Sequence, residues 1–214
     1  MSIDPPLIKL RSIGVRIGAA NILRELDLTV LSGEGVGIYG DNGSGKTTLL
    51  RTVATLLRPS SGRGMVLGAD LASAERFKVR TRIGFIGHIP ALYPELTLEE
   101  NLKFITRVTG KSSSSIPVAL ETVGLSSASS RRVDECSYGM QRRAEFAREI
   151  LRSPDLLLLD EPHTALDASA IEIVEYLVGQ VTESGGAVLI VSHDRDRVAP
   201  MLSRVSELKA GMLS

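Results

Sequence analysis

Eight consecutive residues constrain this chain more than any other feature. Gly40-Asp41-Asn42-Gly43-Ser44-Gly45-Lys46-Thr47 satisfies the pattern G-x-x-x-x-G-K-[ST]. Its glycines let the backbone curl until successive N–H groups converge on an anion. Lys46 brings a compact positive charge to the outer phosphates of a nucleotide, and the Thr47 hydroxyl can ligate a divalent cation. An apolar run, Val36–Tyr39, precedes the loop, and a helical pattern opens at Lys46, so the loop meets the positive end of a helix dipole. A loop of this kind requires a buried parallel strand feeding a helix, which commits the chain to an α/β fold with its ligand at the carboxyl edge of the sheet.

The remaining pattern agrees. Short apolar segments at Leu7–Arg11, Leu26–Leu31, Val36–Tyr39, Met65–Leu67, Ile83–Ile86, Leu156–Leu159, Ala187–Val191 and Val205–Leu208 read as strands. Helical patterns cover Lys46–Leu57, Leu98–Val108, Pro117–Val123, Tyr138–Leu151, Ala168–Glu183 and Arg195–Met201. Leu156–Leu159 and Ala187–Val191 run without alternation, as strands buried on both faces do. Thr97 with Glu100 forms a capping box in front of the second helix. Two serine clusters, Ser112–Ser115 and Ser126–Ser130, read as surface connectors rather than domain linkers. The expected organisation is one domain over residues 1–214, with a helix-rich insertion near residues 89–152.

Composition narrows the class. At 214 residues, 25 basic against 25 acidic, the chain is one globular domain with no electrostatic footprint for nucleic acid, which is not an expected partner. A single cysteine, Cys136, permits no internal disulfide and fits a reducing compartment. The first residues lack a secretory pattern, and no apolar stretch approaches the ~20 residues that cross a bilayer. An intracellular domain is the expectation.

Three further constellations carry chemistry. Leu156–Leu159 ends in Asp160 and Glu161. A buried strand holds Asp160 rigidly where it can orient Mg²⁺, and Glu161 follows where a general base for an attacking water is wanted. Taken alone, acids after an apolar strand are commonplace; the phosphate loop upstream changes their meaning. His193, in Val191-Ser192-His193-Asp194, could report the γ-phosphate as a hydrogen-bond donor, although a lone histidine after a strand is more often a loop residue. Ser137 is a good N-cap for the helix from Tyr138, and Gly139 leaves the backbone open at the positive helix end. An ordinary capped helix with a basic face is the bland alternative.

In this order and spacing the pieces resemble the nucleotide-binding domain of ATP-binding cassette (ABC) transporters, over about Leu7 to Leu208. The resemblance implies a P-loop NTPase core of mostly parallel sheet with an antiparallel β subdomain and a helical insertion. Gly40–Thr47 matches Walker A, so Gly40, Asp41, Asn42, Gly43, Ser44, Gly45, Lys46, Thr47 and Thr48 become the implied ATP contacts. Leu156–Asp160 matches Walker B, with Thr47 and Asp160 at Mg²⁺, Glu161 as catalytic glutamate and His193 as the switch histidine. Ala165-Leu166-Asp167 looks like the family's D-loop, and Cys136-Ser137-Tyr138-Gly139-Met140 corresponds to its signature loop. In that family two domains pair head to tail, each ATP lying between one Walker A and the partner's signature loop. Such a dimer, of this chain with itself or a paralogue, is therefore implied, together with separate membrane permease subunits and a cytoplasmic place on the inner face of the cell membrane.

The chain departs from the family pattern at three places. The signature keeps only Ser137 and Gly139 of leucine-serine-glycine-glycine-glutamine, with Tyr138 adding bulk. His88 stands where a glutamine near the metal is usual, and Ile17 stands for the aromatic that stacks on adenine. Gly87-His88, Glu95-Leu96-Thr97 and Gln141-Arg142-Arg143 are similar to the haem-exporter ATPase of cytochrome c maturation. Gly139-Met140 is equally like drug, polysaccharide and antibiotic exporters with two-part permeases. Two other classes stay open. A non-transport ABC ATPase would bring coiled-coil insertions or a second cassette, and this chain has neither. A nucleotide-holding module without turnover is favoured by the eroded signature and opposed by the intact Glu161.

Overall fold

The computed structural model describes residues 5–163 and 168–214. Its elements run β1 (Ile8–Ile17), β2 (Ala20–Val30), β3 (Gly35–Tyr39), α1 (Lys46–Val53), β4 (Ser61–Val66), β5 (Ala69–Asp70), β6 (Ile83–Ile86), α2 (Leu98–Thr109), α3 (Ile116–Thr122), α4 (Tyr138–Arg152), β7 (Leu156–Asp160), α5 (Ala168–Glu183), β8 (Ala187–Ser192), α6 (Arg195–Val198), β9 (Arg204–Lys209) and β10 (Met212–Leu213). A four-stranded antiparallel sheet has the order β2-β1-β4-β5, and a six-stranded sheet has the order β10-β9-β3-β8-β7-β6. In the larger sheet β9, β3, β8, β7 and β6 are parallel, and only the terminal β10 turns back.

The leucine run shows why the larger sheet sits where it does. Leu156 and Leu158 join a core shared with β1, β2, β4 and α1, whereas Leu157 and Leu159 join a second core built from α2, α3, α4 and α5. Successive side chains of a strand point to opposite faces. With both faces covered, each leucine is fully buried, and alternation has no polar side to report. Each such side chain contributes roughly 2 kcal/mol of apolar burial.

Several elements differ in extent from their sequence reading. The first hairpin is far longer than Leu7–Arg11 and Leu26–Leu31, because β1 and β2 are kinked and keep no simple period. Register shifts interrupt their pairing, and Ser12 and Glu25 sit at φ 49° and 44°. Helix α1 stops at Val53 rather than Leu57. Thr55 adopts φ 64°, and Arg80 holds it there by donating to its hydroxyl (2.9 Å) and its carbonyl (2.8 Å). The final helical pattern is α-helical only to Val198 and continues as a 3-10 turn, Ala199–Met201, in which Pro200 supplies no N–H.

Between β6 and β7 lie helices, 3-10 turns and one isolated antiparallel bridge, Thr97–Arg132, and α2 and α3 both pack on α4. The α2 capping box is formed: Glu100 N–H donates to Thr97 Oγ1 (3.1 Å), and Thr97 N–H donates to Glu100 Oε2 (2.9 Å). Helix α4 is bound to β6 and its following loop by charged side chains. Arg152 donates to the Ile83 carbonyl (2.8 Å), Arg148 to Phe85 (3.0 Å) and Ala91 (2.9 Å), while Glu145 accepts Ala91 N–H (2.9 Å). Glu145 and Glu149 are fully buried beside these arginines. Burial pushes the Glu145 carboxyl up, and Arg148 pulls it down. No helix among the described residues is long and apolar enough to cross a membrane.

Candidate functional site

The phosphate loop leaves the carboxyl end of β3 and enters α1 through Gly45, whose φ of 111° only glycine adopts freely. The loop curls on its own lysine: Lys46 Nζ donates to the carbonyls of Gly40 (2.6 Å) and Asp41 (3.1 Å). β7 ends beside it. Thr47 Oγ1 donates to Asp160 Oδ2 at 2.9 Å, bringing two hard oxygens together. Asp160 is only 3% exposed. Burial raises its pKa above the ordinary value, with the Thr47 hydrogen bond as the main opposing effect.

Glu161 turns out of β7 at φ 50°, a left-handed conformation uncommon for a side-chain-bearing residue. Its carboxylate is held from β8. Ser192 Oγ donates to Glu161 Oε2 (3.1 Å), and His193 Nδ1 lies 2.8 Å from the same oxygen. Lys46 Nζ stands 3.9 Å from Oε1. Ser192 also accepts Asp194 N–H (3.1 Å), so one buried hydroxyl joins the glutamate to the histidine loop.

These groups border an open cavity of about 370 Å³, lined by Asn42, Gly43, Gly45, Lys46, Thr47 and Thr48 of the loop and helix, by Asp160 and Glu161, and by His88 and Ile22. Ser44 Oγ, in the same loop, is buried without a hydrogen-bond partner. His88 is exposed at the cavity wall, and its carbonyl accepts the Tyr138 hydroxyl at 2.8 Å. Ile17 is half exposed at the end of β1 and is not part of the cavity lining, to which β2 contributes Ile22. Ser137 caps α4 by accepting Met140 N–H (3.3 Å), and Gly139 has open space around it. Both lie apart from the cavity of their own subunit. Ala165-Leu166-Asp167 falls outside the described residues.

Three participants escaped sequence reading. Ser192 carried a signal, a hydroxyl at a strand end one residue before His193. Ile22 lay inside a hairpin whose period is broken, and Arg142 read as part of a basic helix face although it is only 1% exposed.

Residues 23–164 match the family model described as ABC transporter. The chain is 34% identical over 194 residues to the ABC transporter ATP-binding protein NatA of Bacillus subtilis, covering 88% of this chain and 78% of NatA. It is 33% identical over 207 residues to the cytochrome c biogenesis ATP-binding export protein CcmA of Xanthomonas campestris pv. campestris, covering 96% and 95%. Among solved structures, the dimeric ATP-binding cassette MJ0796 in a post-hydrolysis state with ADP and Pi superposes with a TM-score of 0.86 at 26% identity, covering 97% of this chain and 96% of that one. The matched span runs from β2 through the phosphate loop and α4 to the residues just past Glu161. The chain belongs to the ABC transporter family, as an ATP-hydrolysing subunit that drives a membrane transporter.

Proposed function

We propose that the chain binds Mg·ATP in the 370 Å³ cavity and closes head to tail on a second cassette, its own copy or a paralogue. It then hydrolyses the nucleotide at the interface while docked on separate permease subunits at the inner face of the membrane. One observation carries this reading: the Glu161 carboxylate is held by Ser192 and beside His193, within 3.9 Å of the phosphate-loop lysine.

The residues fit both ligands. A buried, unpartnered Ser44 hydroxyl and a lysine now bonded to its own loop's carbonyls suit a polyanion that would take over those contacts. Thr47 and Asp160 are the oxygen donors expected of a Mg²⁺ site, with phosphate oxygens and water completing it. When bound, Mg²⁺ would neutralise charge on the phosphates. His88 lines the same cavity, but a ring nitrogen ranks below oxygen for this cation. Its contribution is to the cavity wall.

Lys46 and loop N–H groups hold the phosphates. Glu161 takes a proton from water as the water oxygen bonds to the γ-phosphorus and the bond to the ADP oxygen breaks. His193 donates to the γ-phosphoryl group. Ser137 and Gly139, apart from their own subunit's cavity, supply the open helix N-terminus that meets the partner's γ-phosphate.

The transporter assigned here is the export system of cytochrome c maturation, with haem as cargo; the alternative is an exporter of the drug or polysaccharide type. The assignment is supported by the 33% identity to CcmA over 207 residues, beside the 34% identity to NatA over 194 residues. The test of hydrolysis is Glu161→Gln. It should bind ATP, turn over about 100-fold more slowly as expected for loss of a general base, and accumulate as an ATP-dependent dimer on size exclusion. Undiminished turnover would place the base elsewhere. Copurification of wild type with cytochrome c maturation membrane subunits would support the export assignment, and copurification with a different permease would overturn it.

A further inference from the structure

Glu161 sits in a strained turn, and strain of this kind persists only where neighbours over-determine it. The neighbour is Arg142. From the inner face of α4 its Nη2 donates to the carbonyl of Asp160 (3.1 Å) and, more distantly, to that of Glu161 (3.5 Å). Its Nη1 donates to the carbonyl of Gly87, immediately before His88, and lies 3.2 Å from Glu145 Oε2. The guanidinium thereby joins three segments, two through backbone carbonyls and one through the Glu145 carboxylate. One is the strand end carrying the acids, one is the loop carrying His88, and the third is α4 itself, which begins at the Ser137 cap.

We propose that Arg142 is a positioning residue for ATP hydrolysis, holding the Asp160–Glu161 turn so that the Glu161 carboxylate faces the phosphate loop, and tying that turn to the Ser137 end of α4. Tyr138 reinforces the tie from the same helix by its bond to the His88 carbonyl. Only a planar fork can serve carbonyls on separate segments at once; an ammonium has the charge without the span. The proposal rests on Glu161 being the base.

A double-mutant cycle with Glu161→Gln separates the two claims. Arg142→Lys is the first variant, because it keeps a cation beside the buried Glu145, which retains Arg148 at 3.7 Å. Arg142→Gln is the second, and thermal melting shows that each is folded. Phosphate release is followed under single-turnover conditions, so that the slow Glu161→Gln background remains readable. Arg142→Lys should lower kcat by about 10–100-fold, the scale of a 1 Å misplacement of a catalytic group, while KM for ATP changes less than about threefold because the phosphate loop is untouched. In the Glu161→Gln background the same substitution should cost no further kcat. Equal losses in both backgrounds would show a merely structural role and overturn the proposal, as would unchanged kcat in folded Arg142→Lys. Undiminished turnover of Glu161→Gln alone would overturn the base assignment, and this proposal with it.

Discussion

Gly40→Ala perturbs the site without touching a charge. A Cβ at Gly40 would stand 2.3 Å from the Leu208 carbonyl oxygen and 2.9 Å from Ser44 Oγ, against an ordinary contact distance of 3.4–4 Å. Relief requires a separation of about 1 Å between the loop and β9. β9 is poorly placed to give way, being hydrogen-bonded to β3 on one side and β10 on the other. The loop therefore moves, and the Gly40 carbonyl that orients Lys46 moves with it. A displacement of that size at a phosphate site should reduce kcat/KM by about 100-fold. It should cost the fold about 1–3 kcal/mol, in the range for overpacking. For a chain of this length that lowers Tm by about 2–12 °C. Steady-state phosphate release, denaturant melts and thermal melting read the three quantities. If kcat/KM stays within threefold of wild type, the loop's seat against Leu208 does not position the lysine.

Other outcomes follow from the same geometry. Asp160→Asn keeps an acceptor for Thr47 and removes a carboxylate whose ionised form is penalised by burial. A raised folded pKa means that the wild-type penalty is fully present above that pKa and fades as pH falls towards 3.8. Nucleotide-free Asp160→Asn should therefore melt higher at neutral pH, with the gain shrinking in acid and ATPase activity lost; a lower Tm at pH 7 would contradict this. Gly139→Ala, in open space in the first turn of α4, should raise monomer stability by about 0.5–1 kcal/mol in denaturant melts. It should weaken ATP-dependent dimerisation on size exclusion. Leu158→Ala should cost about 2–5 kcal/mol of stability at a fully buried position.

The parts legible in the sequence are those with local causes. The glycine spacing of the phosphate loop, the Thr97–Glu100 box and the two-faced burial of Leu156–Leu159 each depend on neighbouring residues, and each can be read from them. Lys46, Thr47, Asp160 and Glu161 could be read as neighbours because the ends of parallel strands share one edge. What escaped reading depends on distant partners. The hairpin's extent is set by irregular pairing around Ser12 and Glu25. Ile22 reaches the cavity from β2, inside that irregular pairing. Arg142 looks like surface charge on a helix, yet it is buried where backbone carbonyls from a strand end and a separate loop converge on it. No local pattern announces such a convergence.

In the proposed head-to-tail dimer, each catalytic site is completed by the partner's Ser137 loop. Placing Lys46→Ala in one Glu161→Gln subunit and Ser137→Arg in another removes Walker A from the first and the signature from the second, while blocking turnover in both. Neither variant should dimerise with ATP by itself, because each of its sites lacks one half. An equimolar mixture has one intact composite site and should form an ATP-dependent dimer on analytical size exclusion. A mixture that stays monomeric while Glu161→Gln alone dimerises, or a Ser137→Arg subunit that dimerises unaided, would contradict the trans geometry.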